Sequence, residues 1–430
     1  MQVGTNVRRV AIIGGIRTPF ARSNTAYSAV DDQELLTAAL RAVVDRFNLH
    51  GERLGDVIAG AVIKHAKDYN LTRESLLSSG LDAQTPGLDV QRACGTSLEA
   101  AILVANKIAL GQIDAGIAAG VDTTSDPPIA FPKSFQQKLL QAARGRTFGQ
   151  RMKPWLSLRP RDFKPVLPAV VEPRTGLSMG QSCELMVRTW SISREDQDRL
   201  AYESHLKATA AWRDGFYDDL VTPFHELSTD NNIRSDASLE RLAKLRPAYD
   251  FSGRGTLTAG NSTPLTDGAA ALLLASEDWA AQRKLPVLAY ITAGKSWAVD
   301  FASGQEGLLM APAYAVAAIL RDVGLTLQDF DFYEIHEAFA AVPLCLFKAW
   351  ESDDYCRDRL GLAGALGSID RAKLNLRGGS VAIGHPFAAT GARILSTLAK
   401  QLSMNPQSRR GIASACTAGG MAVTAILERA

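Results

Sequence analysis

ALRAVVDRFNLHGERLGDVIAGAV, residues 39–62, reads as an amphipathic helix, a short polar link and an apolar strand beginning near Asp56. AVAAILRDVGLTLQDFDFYEIHEAF, residues 315–339, repeats that grammar: Ile319 answers Val43, Leu325 answers Leu49 and Phe330 answers Leu54, each at an offset of 276. A strand-like run precedes each helix, RRVAIIGGIRTPF (8–20) in one case and PVLAYITAGKS (286–296) in the other. After each comes a turn with a reactive side chain, another helix and another apolar strand, IDAGIAAGV (113–121) and RGIASACTAGG (410–420). Alternation at this spacing predicts an α/β fold of two similar halves about a pseudo-twofold axis, with mostly parallel sheets.

The halves are read as residues 1–283 and 284–430, the first carrying an inserted loop domain at about 124–253, where the alternation lapses. That insertion holds two helical patterns, MGQSCELMVRTW (179–190) and SREDQDRLAYESHLKATAAWRDGF (193–216). It also holds a basic stretch from Lys133 to Lys164, nine Lys or Arg against Asp162 alone. Such a cluster serves phosphates, a partner or a membrane surface, or else is a solvated face.

With 430 residues, 46% of them hydrophobic and 21% charged, the chain is expected to be globular with a large core. A net charge of +2 gives no global argument for nucleic acid. The opening MQVGTNVRRVAIIGG lacks an apolar leader core, and no run approaches the roughly 18 apolar residues of a spanning helix. The expectation is a cytoplasmic protein with no transmembrane segment. Five cysteines without a C-x-x-C argue against a disulfide framework and a metal site, and leave reduced thiols for catalysis.

VQRACGTSLEAAILVANKIALGQ, residues 90–112, sets Cys94 before a helix start. Thr96 and Glu99 fit a capping box, Leu98, Ile102, Ala105 and Ala109 keep helical spacing, and Gly111 supplies a stop. Cys94 at the positive helix end is either a thiol that ionises well below about 8.5 or a buried structural one. GGSVAIGHPFAATGARIL (378–395) presents His385 after Gly384, SACTAGGMAV (414–423) presents Cys416, and EIHEAFAA (334–341) presents His336. All three are read as turns at strand ends, where open α/β sheets collect ligands. A thiolate made by proton transfer to imidazole attacks a thioester and keeps the acyl group as another thioester, while a second thiol moves a proton beside the carbonyl.

With these motifs, RVAIIGGIRTPF (9–20), KLRPAYD (244–250), GTLTAGNSTPLTDGAAALLLAS (255–276) and SACTAGGMAVTAILERA (414–430), the chain resembles the thiolase family from near its start to its end. The resemblance implies a duplicated α/β thiolase fold with an inserted loop domain. It implies action on coenzyme A thioesters, coenzyme A being a substrate and no cofactor being required. Cys94 then looks like the acyl-accepting nucleophile, His385 its base, and Cys416 the acid/base at the acetyl carbon. One oxyanion hole would be His385 with a water held by His336, the other the backbone N–H groups of Cys94 and Ala418. Thiolases often carry Asn-Glu-Ala-Phe where this chain has HEAF, a variant that resembles the thiolase subunit of fatty-acid oxidation multienzyme complexes. Ala418 stands where glycine is frequent; a backbone donor tolerates that change. The family's coenzyme A contacts match Arg234, near the adenine and 3′-phosphate, and Thr263, near the pantetheine; Arg241 replaces a family serine. Cys183, Cys345 and Cys356 match no catalytic motif and are read as structural.

The activity so implied is cleavage of a 3-oxoacyl-CoA by coenzyme A, or the reverse condensation. The implied partners are a second copy, as a dimer or dimer of dimers, and a hydratase and hydroxyacyl-CoA dehydrogenase chain. Two rivals stand beside it. A decarboxylating 3-oxoacyl carrier-protein synthase would pair its nucleophile with two histidines or with His and Asn, whereas Cys416 suits direct deprotonation. A non-catalytic acyl-CoA binder would need none of the four reactive positions.

Overall fold

The computed structural model describes residues 7–430; residues 1–6, part of the opening stretch read for a leader, lie outside them. The first half runs β1 (Val10–Arg17), β2 (Ala21–Arg22), α1 (Asp32–Arg46), β3 (Asp56–Ala59), α2 (Leu71–Leu77), β4 (Gly87–Asp89), α3 (Thr96–Ala109) and β5 (Ala115–Asp122). Then come α4 (Lys133–Arg144), α5 (Phe148–Leu156), α6 (Met179–Thr189), α7 (Arg194–Arg213) and α8 (Leu239–Ala243), before β6 (Thr266–Ser276) rejoins the sheet. The rest is α9 (Glu277–Gln282), β7 (Ala289–Ala298), α10 (Ala311–Val323), β8 (Phe332–Ile335), α11 (Ala341–Glu351), α12 (Asp353–Asp358), α13 (Ser380–Ile383), α14 (Thr390–Met404), β9 (Arg410–Thr417) and β10 (Met421–Arg429).

The strands lie in the order β4-β3-β5-β6-β1-β7-β10-β9-β8, with β2 on β6. Outward from the β1–β7 seam, β1-β6-β5-β3 on one side is answered by β7-β10-β9-β8 on the other. β3 begins at Asp56 and β8 at Phe332, so the repeat's offset of 332 − 56 = 276 survives into the fold. The expectation of mostly parallel sheets is corrected: only β3–β4, β3–β5 and β8–β9 are parallel, and the pairs between β5 and β9 along the sheet are antiparallel. A parallel neighbour needs a crossover, but β9 turns into β10 within residues 418–420 and has no helix to carry it back.

Strand alternation sorts side chains into layers. Leu36, Leu40 and Val43 of α1 pack on Ile117 and Leu273 at one face of the first-half strands. Leu98 and Val104 of α3 and Leu395 and Leu398 of α14 pack together between Ala118 and Leu272 of the first half and Ala413 and Val423 of the second. Ile319 of α10 and Leu344 of α11 close the outer face of the second half on Ile412 and Ile426. Each such buried leucine or isoleucine contributes about 1.5–3 kcal/mol. The two central helices meet at their N-termini: a Cβ on Gly391 would stand 2.3 Å from the Leu98 nitrogen, and Ala392 N–H donates to Ser97 Oγ at 2.8 Å. This contact brings the turns before α3 and α14 face to face.

Part of the inserted segment is built into the body of the molecule. Helix α7 buries Ser204, His205 and Ala208 in the body of the molecule, and Lys207 donates to the Leu374 carbonyl. The basic stretch itself forms α4 and α5, which its charge density concealed. Among the described residues no helix is long and apolar enough to cross a membrane.

Candidate active site

Cys94 lies on a turn tightened by Thr96, though not through a capping box. Gly95 is the N-cap of α3 and makes no side-chain cap. Thr96 Oγ1 instead accepts the Arg92 N–H at 2.9 Å and donates to the Ala93 carbonyl at 2.7 Å. Glu99 accepts from the Arg92 guanidinium at 3.0 Å and from Ser296 at 2.6 Å rather than reaching back to the helix end. The cost of the turn falls on Ala93, held at φ 44° in the left-handed region. Of the two readings of this thiol, the half-buried setting favours the protonated one: desolvation pushes it up to about 12, against the pull of the Ala418 and Cys94 backbone N–H groups. Desolvation outweighs a partial charge at one helix end.

His385 is not at a strand end, as the sequence reading has it, but between α13 and α14, next to β6 through its N–H on Thr266 Oγ1 at 3.1 Å. Gly384 makes the turn possible, at φ 108° with the Asn232 side chain 2.5 Å from where a Cβ would be. His336 follows β8, its N–H donating to the Ser414 carbonyl at 2.9 Å. The two imidazole rings lie 4.2 Å apart, tilted by 47°. Burial, followed by the charge of Arg393, lowers His385 to about 3. Burial also holds His336 well below the usual range, with His385 and Arg393 adding to it. Both rings are therefore neutral at physiological pH, and each has a buried Nε2 with no protein partner.

One nitrogen of each ring and Cys94 Sγ lie within 4.8 Å of one another. Two imidazoles and a thiol form a donor set that zinc accepts. Cys416, the penultimate residue of β9, is buried beside them; burial and the nearness of Cys94 raise its thiol, and the Ala338 backbone N–H opposes them. The turn after it, Ala418–Gly420, is held by Gly419 N–H donating to Glu172 Oε1 at 2.7 Å, a contact from the insertion.

Several residues of this frame escaped the sequence reading. Glu337 accepts from Ser204 at 2.8 Å, Asn375 at 2.6 Å and the Val381 N–H at 3.3 Å, binding α7 to the end of β8 and to α13. Asp122 takes the Val62 and Ile63 N–H groups at 2.9 and 2.7 Å and the Ala388 N–H at 2.7 Å, joining both halves. Thr390, Ser380 and Arg393 stand behind the histidines. Their available signal was a threonine and an arginine at the otherwise apolar start of α14, and a serine directly after Gly378 and Gly379 at the start of α13.

Thr263 borders the site, its hydroxyl donating to the Ala338 carbonyl at 3.0 Å. Arg234 is exposed, on a loop anchored by Asn232 Nδ2 donating to the Phe20 and Ile383 carbonyls at 3.2 and 3.1 Å. Arg241 pairs with Asp236 at the surface. Cys183, Cys345 and Cys356 are free and buried.

Residues 10–278 match the family model described as thiolase, N-terminal domain, and residues 285–429 that described as thiolase, C-terminal domain. The chain belongs to the thiolase family. This thiolase is 42% identical to a 3-ketoacyl-CoA thiolase of Pectobacterium carotovorum subsp. carotovorum, over 98% of its own length and 96% of the other. It is 42% identical to a 3-ketoacyl-CoA thiolase of Vibrio cholerae serotype O1, over 98% and 97%. Its structure resembles the crystal structure of the Bacillus anthracis acetyl-CoA acetyltransferase with a TM-score of 0.82 at 29% identity, covering 99% of this thiolase and 100% of that chain.

Proposed function

We propose that this thiolase is an acyltransferase of fatty-acid oxidation that cleaves 3-oxoacyl-CoA with coenzyme A into acetyl-CoA and a shortened acyl-CoA. The observation that carries the reading is the meeting of Cys94, His336 and His385 beside a second buried thiol, Cys416. Cys94 attacks the 3-oxo carbon as its proton passes to Nε2 of His385, which the neutral ring can accept. The bond between C2 and C3 breaks, and the acetyl-CoA carbanion takes the proton of Cys416. Coenzyme A then gives its thiol proton to the Cys416 thiolate and attacks the acyl-Cys94 thioester, while His385 returns its proton to Cys94. The enolate oxygen is met from the His336 and His385 side, and the tetrahedral oxyanion by the Cys94 and Ala418 N–H groups. No step needs a resident metal or cofactor.

The exposed Arg234 guanidinium suits the 3′-phosphate of coenzyme A, and Thr263 suits the pantetheine arm. Both coenzyme A contacts rest on the family pattern. The enzyme is further proposed to be cytoplasmic, a homodimer or dimer of dimers, and to join a hydratase and hydroxyacyl-CoA dehydrogenase chain.

The Cys94, His336 and His385 grouping also favours a second reading, a decarboxylating condensing enzyme with two histidines. The test mixes purified enzyme with 3-oxoacyl-CoA and coenzyme A, and separately with acetyl and malonyl thioesters. Equal amounts of acetyl-CoA formed and substrate lost support thiolysis. Carbon dioxide release from malonyl thioester without thiolysis would move the protein to the rival class, and binding without either reaction would leave a binder.

A further inference from the structure

The two histidines of the site are matched in ring position and burial but not in what stands behind them. His385 Nδ1 lies 2.6 Å from Thr390 Oγ1, and that hydroxyl has its own acceptor, the Pro386 carbonyl at 3.5 Å. Thr390 can therefore accept Nδ1–H, which leaves Nε2 of His385 bare, as a base requires.

His336 Nδ1 lies 2.8 Å from Ser380 Oγ, and Arg393 Nη2 donates to the same oxygen at 2.7 Å. Arg393 has donors only and stays charged. With one lone pair of Ser380 so occupied, its single proton needs an acceptor, and among the described residues its Oγ has no other partner than His336 Nδ1. Ser380, His336 and Arg393 are all buried, at 0%, 1% and 2% exposure, so a proton left without an acceptor costs about 1–3 kcal/mol. A hydroxyl that donates to Nδ1 forces the ring proton onto Nε2, the atom that faces the site without a protein partner.

We propose that Ser380 and Arg393 are positioning residues that hold His336 in its Nε2–H tautomer, so that it donates a hydrogen bond toward the reacting carbonyl while His385 alone acts as base. The division of labour between two like side chains is then set by the hydroxyl behind each. The donor role rests on the thiolase mechanism above; the tautomer does not.

Nitrogen-15 NMR of enzyme labelled in its six histidines reads the tautomers, the His336 signal being the one lost in His336→Asn. In the wild type His336 should show a bare Nδ1 and a protonated Nε2. In Ser380→Ala the two tautomers should mix, with kcat down about 10- to 100-fold and KM moved less than about threefold. Arg393→Lys, which keeps the charge but not the fork, should move both readouts the same way. A wild-type His336 protonated at Nδ1, or a Ser380→Ala enzyme with unchanged tautomer and kcat, overturns the proposal. Wild-type kcat in His336→Leu, which leaves no donor at that position where Asn would still offer its amide N–H, would remove the donor role and leave the spectrum to decide the tautomer by itself.

Discussion

Cys94 and Cys416 carry the same functional group in the same pocket, yet their removal should look different. Cys94→Ser is expected to abolish the acyl-enzyme, because one imidazole cannot ionise an alcohol at neutral pH. Cys416→Ser should still take label from acetyl-CoA onto Cys94 while losing turnover and exchange of the acetyl α-protons. Wild-type exchange in that variant would end the assignment. The resting state is also testable: desolvation raises the Cys94 thiol and lowers His385, which favours the uncharged pair near neutral pH. Alkylation of Cys94 by iodoacetamide should therefore keep accelerating above about pH 8.5. A plateau near neutrality would mean a standing thiolate–imidazolium pair. Zinc, which the Cys94, His336 and His385 donors suit, should slow the same alkylation until a chelator removes it.

At the scale of elements, the insertion does two jobs that its sequence did not separate. Glu172 reaches back to the Gly419 N–H, holding the turn that carries Ala418, so Glu172→Ala should lower kcat by about tenfold with little change in melting temperature. Helices α4 and α5 face outward, with Phe148, Trp155 and Leu156 exposed among the cations. The single acid of the stretch, Asp162, is already taken by Lys138 at 2.6 Å, by Ser134 and by the Arg159 N–H, which leaves the outer face strongly positive. Charge reversal at Lys153, Arg159 and Arg161 should release a hydratase and dehydrogenase partner and leave thiolysis intact, with salt weakening the wild-type complex in parallel. Size-exclusion of co-purified material at low and high salt reads the result. Partner retention would place the interface elsewhere, and loss of thiolysis would place these cations at the coenzyme A entrance.

Across the whole molecule, buried charge pins the loops that surround the site. Arg17 of β1 meets Asp230 through two hydrogen bonds of 2.5 and 2.7 Å, both side chains almost fully buried, and Asp230 also accepts from Phe20 N–H and Trp212 Nε1. Asp230→Ala should destabilise the fold by about 3–5 kcal/mol, read by denaturant unfolding, since Arg17 is left charged and unpaired. The buried histidines make a second global prediction. Their folded pKa values lie below the unfolded value near 6.5, so the unfolded chain binds the extra protons and their contribution to stability falls as pH drops below about 6.5, for His385 down to about 3. Glu334, raised to about 7 by burial, acts with the opposite sign. The readout is therefore a difference: His336→Asn should lose less melting temperature than the wild type on going from about pH 6.5 to 5. An equal loss would mean that His336 titrates normally in the folded enzyme.

The repeat of helix, link and strand at one constant offset settled the duplicated α/β architecture before any contact was known, because helix and strand periodicity are local properties of the chain. The residues that the fold brings together were legible as candidates for a related reason: Cys94, His336, His385 and Cys416 each sit on or next to a turn marked by glycine, small residues or a helix start. Strand direction was not legible, since whether β10 lies antiparallel to β9 depends on a turn too short to hold a crossover and on which neighbour is free. Nor were proton positions or pKa values. Cys94 has a sequence that suits either an activated or a structural thiol, but its environment is made by α14, β9 and β10, more than 290 residues away, and their packing desolvates the half-buried thiol enough to raise it. Glu172, Glu337, Asp122 and the hydroxyls behind each histidine act only because tertiary packing buries them and leaves a specific partner within about 3 Å. Which atom holds a proton is decided by that packing, because a desolvated group takes its charge and tautomer from its neighbours in space and not from its neighbours in the chain.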